Sequence, residues 1–351
     1  MDLEQIRKQI DAVDSELLML INKRMELVVR TGKLKTDIAD PQREEAVLGR
    51  VTNQSRGLLT PDFSASLFKQ LMEQARILQE EKAQLIGFQG EHGAFSEIAA
   101  KQFSAGGVSL PHATFSDVFE GVQSGILDYG IVPIENSLGG AVSEVDDLLM
   151  STSLHIVGEV SLPIHHCLIT LPDSDYRDIR VVYSHPQALS QCKGFLKRNK
   201  LEARTYYDTA GSALMLSKER PVSTAVIASR LAAELYNLDV VKENIEDNNL
   251  NVTRFVILSK NPAAKSGDKC TVFFALNHKP GSLFNVIKLF SDAGVNLTRI
   301  ESKPTPQHPG SYAFLVDFVG SSEDTKVKTT LESVASEAAA FRLLGCYSKV
   351  D

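Results

Sequence analysis

The sequence predicts a multidomain protein: an all-α segment, then a bilobal α/β segment, then an α+β module of ferredoxin-like order. Three observations carry this. Apolar residues near the N-terminus recur every seven positions, as along one long helix. From Gln84 the pattern changes to short apolar strands alternating with helices. After a polar, small-residue linker at 261–268, the remaining chain spells strand, helix, strand, strand, helix, strand. At 351 residues there is room for two or three domains with buried cores, and the pattern places them at 1–82, 84–260 and 268–351.

In the first segment, residues 2–37 read as one helix. Leu3, Ile10 and Leu17 form one register of its seam, and Ile6, Val13, Leu20, Leu27 and Leu34 the other. Asp40-Pro41 and Thr60-Pro61 each put a capping side chain before a proline at the first helical position, which starts a short second helix at 41 and a third over 61–82. No other helix of the segment is as long as the first. Its seam is therefore expected against another protomer, giving a homodimer or a larger homo-oligomer.

Arg24 falls inside that seam, where desolvation is costly unless the guanidinium meets an anion. On a continuous helix Lys35 would lie ~16 Å further along nearly the same face, so the two side chains could converge on one small molecule. Arg7 is ~25 Å from Arg24 along the axis and could join them only from a second copy of the helix.

In the second segment, residues 85–88, 129–134, 155–160, 181–184, 203–207, 224–227 and 255–258 read as strands. Helices fall near 97–103, 116–124, 189–196 and 229–236. The length and the glycine-containing loops predict two lobes with a ligand cleft where strand ends meet loops. In the third segment the six elements fall at 270–276, 283–293, 295–302, 312–319, 323–338 and 341–345.

The formal charge of −7 argues against nucleic acid or an anionic membrane as main partner, so an anionic ligand must be met by local cations. The N-terminus is charged from residue 2 and no apolar run reaches membrane-spanning length, from which a cytoplasmic location is expected. Cys167, Cys192, Cys270 and Cys346 are widely dispersed, which suits neither a metal site nor a disulfide framework, and they read as reduced thiols.

Arg7, Arg24, Lys35, the Asp40-x-x-Arg43-Glu44 group and Gln79 together resemble the all-helical chorismate mutase family, over most of residues 3–80. The resemblance implies an intertwined dimer with each site built from both chains. Converting chorismate to prephenate is a unimolecular rearrangement; the catalyst holds a compact conformer and stabilises charge on the breaking ether oxygen. The resemblance assigns Arg24 and the partner subunit's Arg7 to the substrate carboxylates, Lys35 and Gln79 to the ether oxygen, and Glu44 to the substrate hydroxyl. Arg43 and Asp40 shape the site, and Asp40 is also placed to cap its helix. Ala75 stands where the family often has a small hydroxyl residue.

Four strings in the second segment lie at or just past strand ends: Gly90-Glu91-His92-Gly93-Ala94-Phe95-Ser96, Pro133-Ile134-Glu135-Asn136-Ser137, Ser184-His185-Pro186-Gln187-Ala188-Leu189-Ser190-Gln191-Cys192 and Asn251-Val252-Thr253-Arg254-Phe255. In this order they resemble prephenate dehydratase over 85–260, with Glu91 where proline is frequent. The implied reaction removes carbon dioxide and the ring hydroxyl of prephenate to give phenylpyruvate, and requires no cofactor or metal. It needs help for the departing hydroxide and a dry setting for the carboxylate. Thr253 is the implied hydroxyl-contacting donor. Glu135, Asn136, Ser184, Gln187, Gln191 and Phe255 are candidates for binding or proton supply, and Arg254 either binds an anion or forms a structural ion pair. His166 and His185 read as structural, without an identifiable relay partner.

In the third segment, Gly281, Ser282 and Leu283 form a turn at a helix start suited to a carboxylate, and Asn296, Leu297, Glu301, Ser302 and Lys303 follow on the next strand. These strings resemble the ACT regulatory domain fused to prephenate dehydratases, with Lys303 where arginine is usual. The resemblance implies phenylalanine as effector, bound between paired domains. Two alternatives remain at this point: an amino-acid sensor without catalysis, and a dehydratase alone, acting on prephenate or arogenate.

Overall fold

The structure is a computed structural model that describes residues 2–35, 37–172, 174–264, 267–277, 279–304 and 312–350. The expected linker at 261–268 therefore includes two residues, 265 and 266, outside the described ones. The chain divides into two compact units, the helical N-terminal one and a larger one holding both remaining modules.

The helical unit contains α1 (Leu3–Gly32), α2 (Pro41–Gln54) and α3 (Pro61–Glu80). Asp2 caps α1 in a reciprocal box with Gln5, Asp40 accepts the Arg43 N–H, and Thr60 accepts the Phe63 N–H. Helix α1 is shorter than its seam predicted. It ends at Gly32, so Leu34 and Lys35 lie in the connection to α2 rather than on the helical face. The C-terminal third of α1 lies along α3, burying Val29, Met72 and Ala75. Leu3, Ile6, Ile10, Val13, Leu17, Leu20, Leu27 and Leu34 all remain exposed, so the expected seam has no cover among the described residues.

After the helices the chain continues with β1 (Leu85–Gln89), α4 (Phe95–Phe103), β2 (Val108–His112), α5 (Phe115–Ser124), β3 (Tyr129–Asn136), β4 (Gly140–Ala141), α6 (Ser143–Ser151) and β5 (His155–Pro163). A second lobe follows: β6 (Cys167–Thr170), β7 (Val181–Ser184), α7 (Pro186–Gln191), α8 (Lys193–Arg198), β8 (Glu202–Thr205), α9 (Thr209–Glu219), β9 (Thr224–Ala228), α10 (Arg230–Leu235) and β10 (Asp239–Lys242). The chain then returns to the first lobe as β11 (Val252–Ser259), which lies antiparallel between β3 and β5. The second sheet has the order β10-β6-β9-β7-β8. The expected two lobes are thus two separate sheets.

The C-terminal module is β12 (Lys269–Leu276), α11 (Ser282–Asp292), β13 (Leu297–Pro304), β14 (Tyr312–Val319), α12 (Thr325–Glu337) and β15 (Ala340–Tyr347), with sheet order β13-β14-β12-β15. All six expected elements are present. Alternation along the strands sends Cys270, Val272, Phe274, Val316 and Phe318 into a core with Val286 and Phe290 of α11 and Val327 and Val334 of α12. The opposite face carries Thr271, Asp317 and Tyr347, all buried. A final short strand, β16 (Lys349–Val350), leaves this sheet and pairs parallel with β5.

The cysteines correct the sequence reading. Cys270 and Cys346 are direct cross-strand partners on β12 and β15, with Cα atoms 4.1 Å apart, and are joined by a disulfide. Their separation of 76 residues hid a pairing that only the strand register creates. Cys167 and Cys192 are free and buried.

Candidate active and effector sites

The register of β11 decides which of its side chains meets the cleft. Thr253 pairs with Asn136 and Arg254 with Glu135, after which the register shifts so that Phe255 faces Pro133. Alternation along β11 puts Thr253 and Phe255 on the cleft side and Arg254 on the other face, while the extra β3 residue, Ile134, lets both Pro133 and Asn136 line the cleft. Asn136 is held by its own turn: its Oδ1 accepts the N–H groups of Leu138 (3.1 Å) and Gly139 (2.8 Å). Its amide nitrogen must then donate, and it does so to Thr253 Oγ1 and to Asn251 Oδ1, both at 2.8 Å. With its lone pair engaged, the Thr253 hydroxyl keeps its proton for a partner in the cleft.

That cleft, of about 610 Å³, runs between the lobes. The first lobe contributes Ser96, Asn136, Thr253 and Phe255, and the second Gln187, Gln191 and Asp208. Gly139 lets Gln187 approach closely, since a Cβ there would sit 2.6 Å from Gln187 Nε2 and push that amide aside. The Gln191 carbonyl lies 2.8 Å from His166 Nε2. Burial pushes the His166 pKa down, so the ring is neutral near pH 7, and the Gln191 oxygen selects the tautomer protonated on Nε2. At the start of α4, Ala94 provides no side-chain cap, and Ala94, Phe95 and Ser96 line the cleft.

Asn136, Gln187, Gln191, Thr253 and Phe255 therefore share one cleft. Three expected binding residues do not join them. Ser184 is fully buried and spends its hydroxyl on the Ile227 carbonyl at 2.6 Å. Glu135 and Arg254 pair with each other behind the sheet at 2.7 Å. Of the two readings left open for Arg254, the geometry is that of an ion pair. His166, read from sequence as structural, lines the cleft beside Gln191, and Asp208, which also lines it, went unassigned from sequence. Asp208 caps α9 through the Gly211 N–H at 2.6 Å, and burial raises its pKa. The detectable signal was its place just past a predicted strand, but the small-residue helix after it, interrupted by Gly211, was not recognised.

In the helical unit Arg24 is half-buried with its pKa lowered by burial, and it donates a long hydrogen bond (3.4 Å) to the Leu71 carbonyl. Gln79 donates to the Val28 carbonyl (2.8 Å) and to Thr31 Oγ1 (3.0 Å). Lys35 lies 3.8 Å from Asp40, which also caps α2. Arg43 and Glu44 occupy the first turn of α2. Arg7 is exposed near the far end of α1.

In the C-terminal module Gly281 has φ +85 and opens α11 with Ser282 and Leu283 in the first turn. Asn296 precedes β13, and Leu297, Glu301 and Ser302 lie along it. The same strand turns two cations toward α6: Arg299 bonds Asp146 at 2.6 Å, both fully buried, and Lys303 bonds Asp147 at 2.5 Å. Lys303, expected along the effector pocket, is thus engaged with the dehydratase lobe. Arg342 of β15 meets the free carbonyls at the other end of α6, at Leu149, Met150 and Thr152.

These features define a class: a helical unit with a cation-lined seam, a two-lobed cleft enzyme and an α+β regulatory module in one chain. Family models match chorismate mutase type II over residues 6–80, prephenate dehydratase over 86–263 and the ACT domain over 271–336. A bifunctional chorismate mutase/prephenate dehydratase of Pseudomonas aeruginosa is 33% identical, covering 99% of this chain and 98% of that one. A solved prephenate dehydratase from Arthrobacter aurescens, in complex with L-Phe, has TM-score 0.71 and 33% identity over 76% of this chain and 90% of that one. A structure described as a novel type of quorum quenching acylase scores 0.71 at 34% identity, over 75% and 97% of the respective chains. The chain belongs to the bifunctional chorismate mutase/prephenate dehydratase family.

Proposed function

We propose that this chain rearranges chorismate to prephenate in its helical unit and converts prephenate to phenylpyruvate in the two-lobed cleft, under feedback inhibition by phenylalanine. The single observation that best supports the cleft chemistry is the Asn136 to Thr253 hydrogen bond, which leaves the hydroxyl proton free to donate into the cleft. Thr253 donates toward the departing ring hydroxyl. As the ring carboxylate leaves as carbon dioxide, its bonding pair enters the ring and the C–O pair departs with the hydroxide, so aromatisation supplies the driving force. Gln187 and Gln191 hold the substrate from the second lobe, and the uncapped start of α4 suits the remaining carboxylate.

In the helical unit, Arg24 and the partner subunit's Arg7 bind carboxylates in an intertwined homodimer, whose contact covers the exposed seam of α1. Lys35, Gln79 and Glu44 complete the site, with Asp40 and Arg43 shaping it. This requires Lys35 to exchange its weak Asp40 contact, and Gln79 part of its Val28 and Thr31 contacts, for the substrate. Phenylalanine binds between paired C-terminal modules, its carboxylate at the Gly281 to Leu283 turn and its remainder toward Asn296, Leu297, Glu301 and Ser302.

Incubating the purified chain with chorismate, and separately with prephenate and arogenate, tests the reading by chromatography of products. Prephenate followed by phenylpyruvate is expected. Phenylpyruvate from supplied prephenate but no consumption of chorismate would leave a dehydratase alone; turnover of neither would leave a sensor.

A further inference from the structure

The face of β11 turned away from the cleft carries a cluster that the reaction itself does not use. Arg254 Nη1 bonds Glu135 at 2.7 Å, while Nη2 bonds both Glu159 of β5 and Asp317 of β14 at 2.8 Å. Asp317 is fully buried and belongs to the regulatory module. Its other oxygen accepts the Thr271 hydroxyl at 2.8 Å, and Thr271 in turn lies 2.7 Å from the Tyr347 hydroxyl. Since Thr271 donates to Asp317, Tyr347 donates to Thr271, and the carboxylate is fixed on its own sheet.

We propose that Asp317 is a positioning residue of the dehydratase centre: from the regulatory module it holds Arg254, and so keeps the Thr253 hydroxyl in register with Asn136. The inference rests on the reading of Thr253 as donor. Arg254 is next to Thr253, and its partner Glu135 is next to Asn136, so the guanidinium ties the two strands together one residue from the catalytic hydrogen bond. It does so where the ladder is weakest, because the register shift of β11 against β3 falls between Arg254 and Phe255. The planar fork reaches three carboxylates on three strands at once, which a lysine cannot do. Lys269 also reaches Glu159 at 2.6 Å, so three carboxylates face two cations. Removing the Asp317 charge leaves two against two. An Asp317 variant is therefore not condemned by an uncompensated buried cation, and its effect on turnover can be read in a folded chain.

The experiment compares the full chain with Asp317→Ala, Asp317→Asn, Arg254→Met and the Asp317→Ala/Arg254→Met pair, measuring kcat and KM on supplied prephenate. Mutase activity on chorismate and thermal denaturation report folding in the same preparations. Asp317→Ala is expected to lower kcat about tenfold with KM within about twofold, because the binding residues stay in place. Asp317→Asn should regain most of that loss, since its carbonyl can accept from Arg254 while its amide donates to Thr271. The double variant should be no slower than Arg254→Met alone, as expected of residues acting in series. Wild-type kcat in Asp317→Ala, a change confined to KM, or additive losses in the pair would each overturn the proposal. Full activity of Thr253→Ala, measured alongside, would instead overturn the reading it rests on.

Discussion

Asn136 donates its amide proton to the Thr253 hydroxyl at 2.8 Å, and two backbone N–H groups of its own turn prevent the amide from reversing. The donor character of Thr253 is thus imposed by a residue 117 positions earlier in the chain. Thr253→Ala is expected to lower phenylpyruvate formation by about 100- to 10,000-fold, the usual reach of a positioned proton donor. The variant should still accumulate prephenate from chorismate. Thr253→Ser keeps the hydroxyl and should keep part of the activity, and Asn136→Ala, which frees the hydroxyl to rotate, should cost at least about tenfold. Equal rates for the alanine and serine variants in single-turnover assays would reduce Thr253 to a packing role.

Arg24 lies in the unit separate from the cleft, so its loss should act on one reaction only. Arg24→Ala is expected to abolish mutase activity while turnover of supplied prephenate stays within about twofold, since removing a charge-assisted contact acts locally. Because Arg7 and Arg24 sit toward opposite ends of α1, chains carrying Arg7→Ala and chains carrying Arg24→Ala should restore each other when mixed and reassembled. Each heterodimer then holds one intact site. Verified heterodimers without mutase activity would exclude a site shared between chains.

Much of this was legible in the sequence because periodicity and capping are local. The proline-started α2 and α3 and all six elements of the C-terminal module fall where the pattern put them. Of the expected dehydratase residues, those on one face of β11 and at the end of β3 do line the cleft. What sequence could not resolve was orientation and register. Arg254 differs from Thr253 by one position and therefore by a face of the sheet, and Ser184 ends a strand whose alternation turns it inward. Lys35 left the helix because α1 stops at Gly32, and the Cys270–Cys346 link exists only through strand pairing. The two-residue β16 carries no periodic signal, so its crossing to the other module was invisible.

Glu97 makes the loop before α4 sensitive to acid. Burial alone would raise its pKa, but the His92 ring at 3.4 Å, the Gly93 N–H at 2.6 Å and Lys101 at 2.9 Å outweigh it and hold the carboxyl at about 2, below its ordinary 4.5. A carboxyl depressed on folding stabilises fully above its unfolded pKa and loses that contribution as pH falls from 4.5 through 2. The shift corresponds to about 3 kcal/mol at neutral pH. Glu97→Gln should therefore lower Tm most near pH 7, with the gap from wild type closing below pH 4.5. A gap that is constant from pH 7 to pH 3 would show that the carboxylate charge is not what stabilises the loop.

Gly281 is required by backbone rather than by space: its φ is +85, yet a Cβ there would meet nothing within 4 Å. Gly281→Val should consequently fold with a penalty of about 1–2 kcal/mol for a side chain in the left-handed region. The branched side chain would stand in the mouth of the α11 turn, so phenylalanine binding is expected to weaken by at least about tenfold, a loss of ~1.4 kcal/mol. Uninhibited dehydratase turnover should be kept. Calorimetry with unchanged phenylalanine affinity would place the effector elsewhere.

Removing the C-terminal module is expected to do more than release inhibition, contrary to what a detachable regulator would predict. A chain ending before Lys269 loses β16 from the edge of β5, and it also loses Lys269 and Asp317 from the cluster around Arg254. It further strips Arg299 from Asp146 of α6 and removes Arg342 from the carbonyls ending that helix. Helix α6 loses both of these partners, and it directly follows the Gly139 to Val142 wall of the cleft. The truncated chain should therefore lose most dehydratase activity while retaining the mutase reaction. Wild-type dehydratase rates in a chain ending before Lys269 would show that the module regulates the cleft without helping to build it.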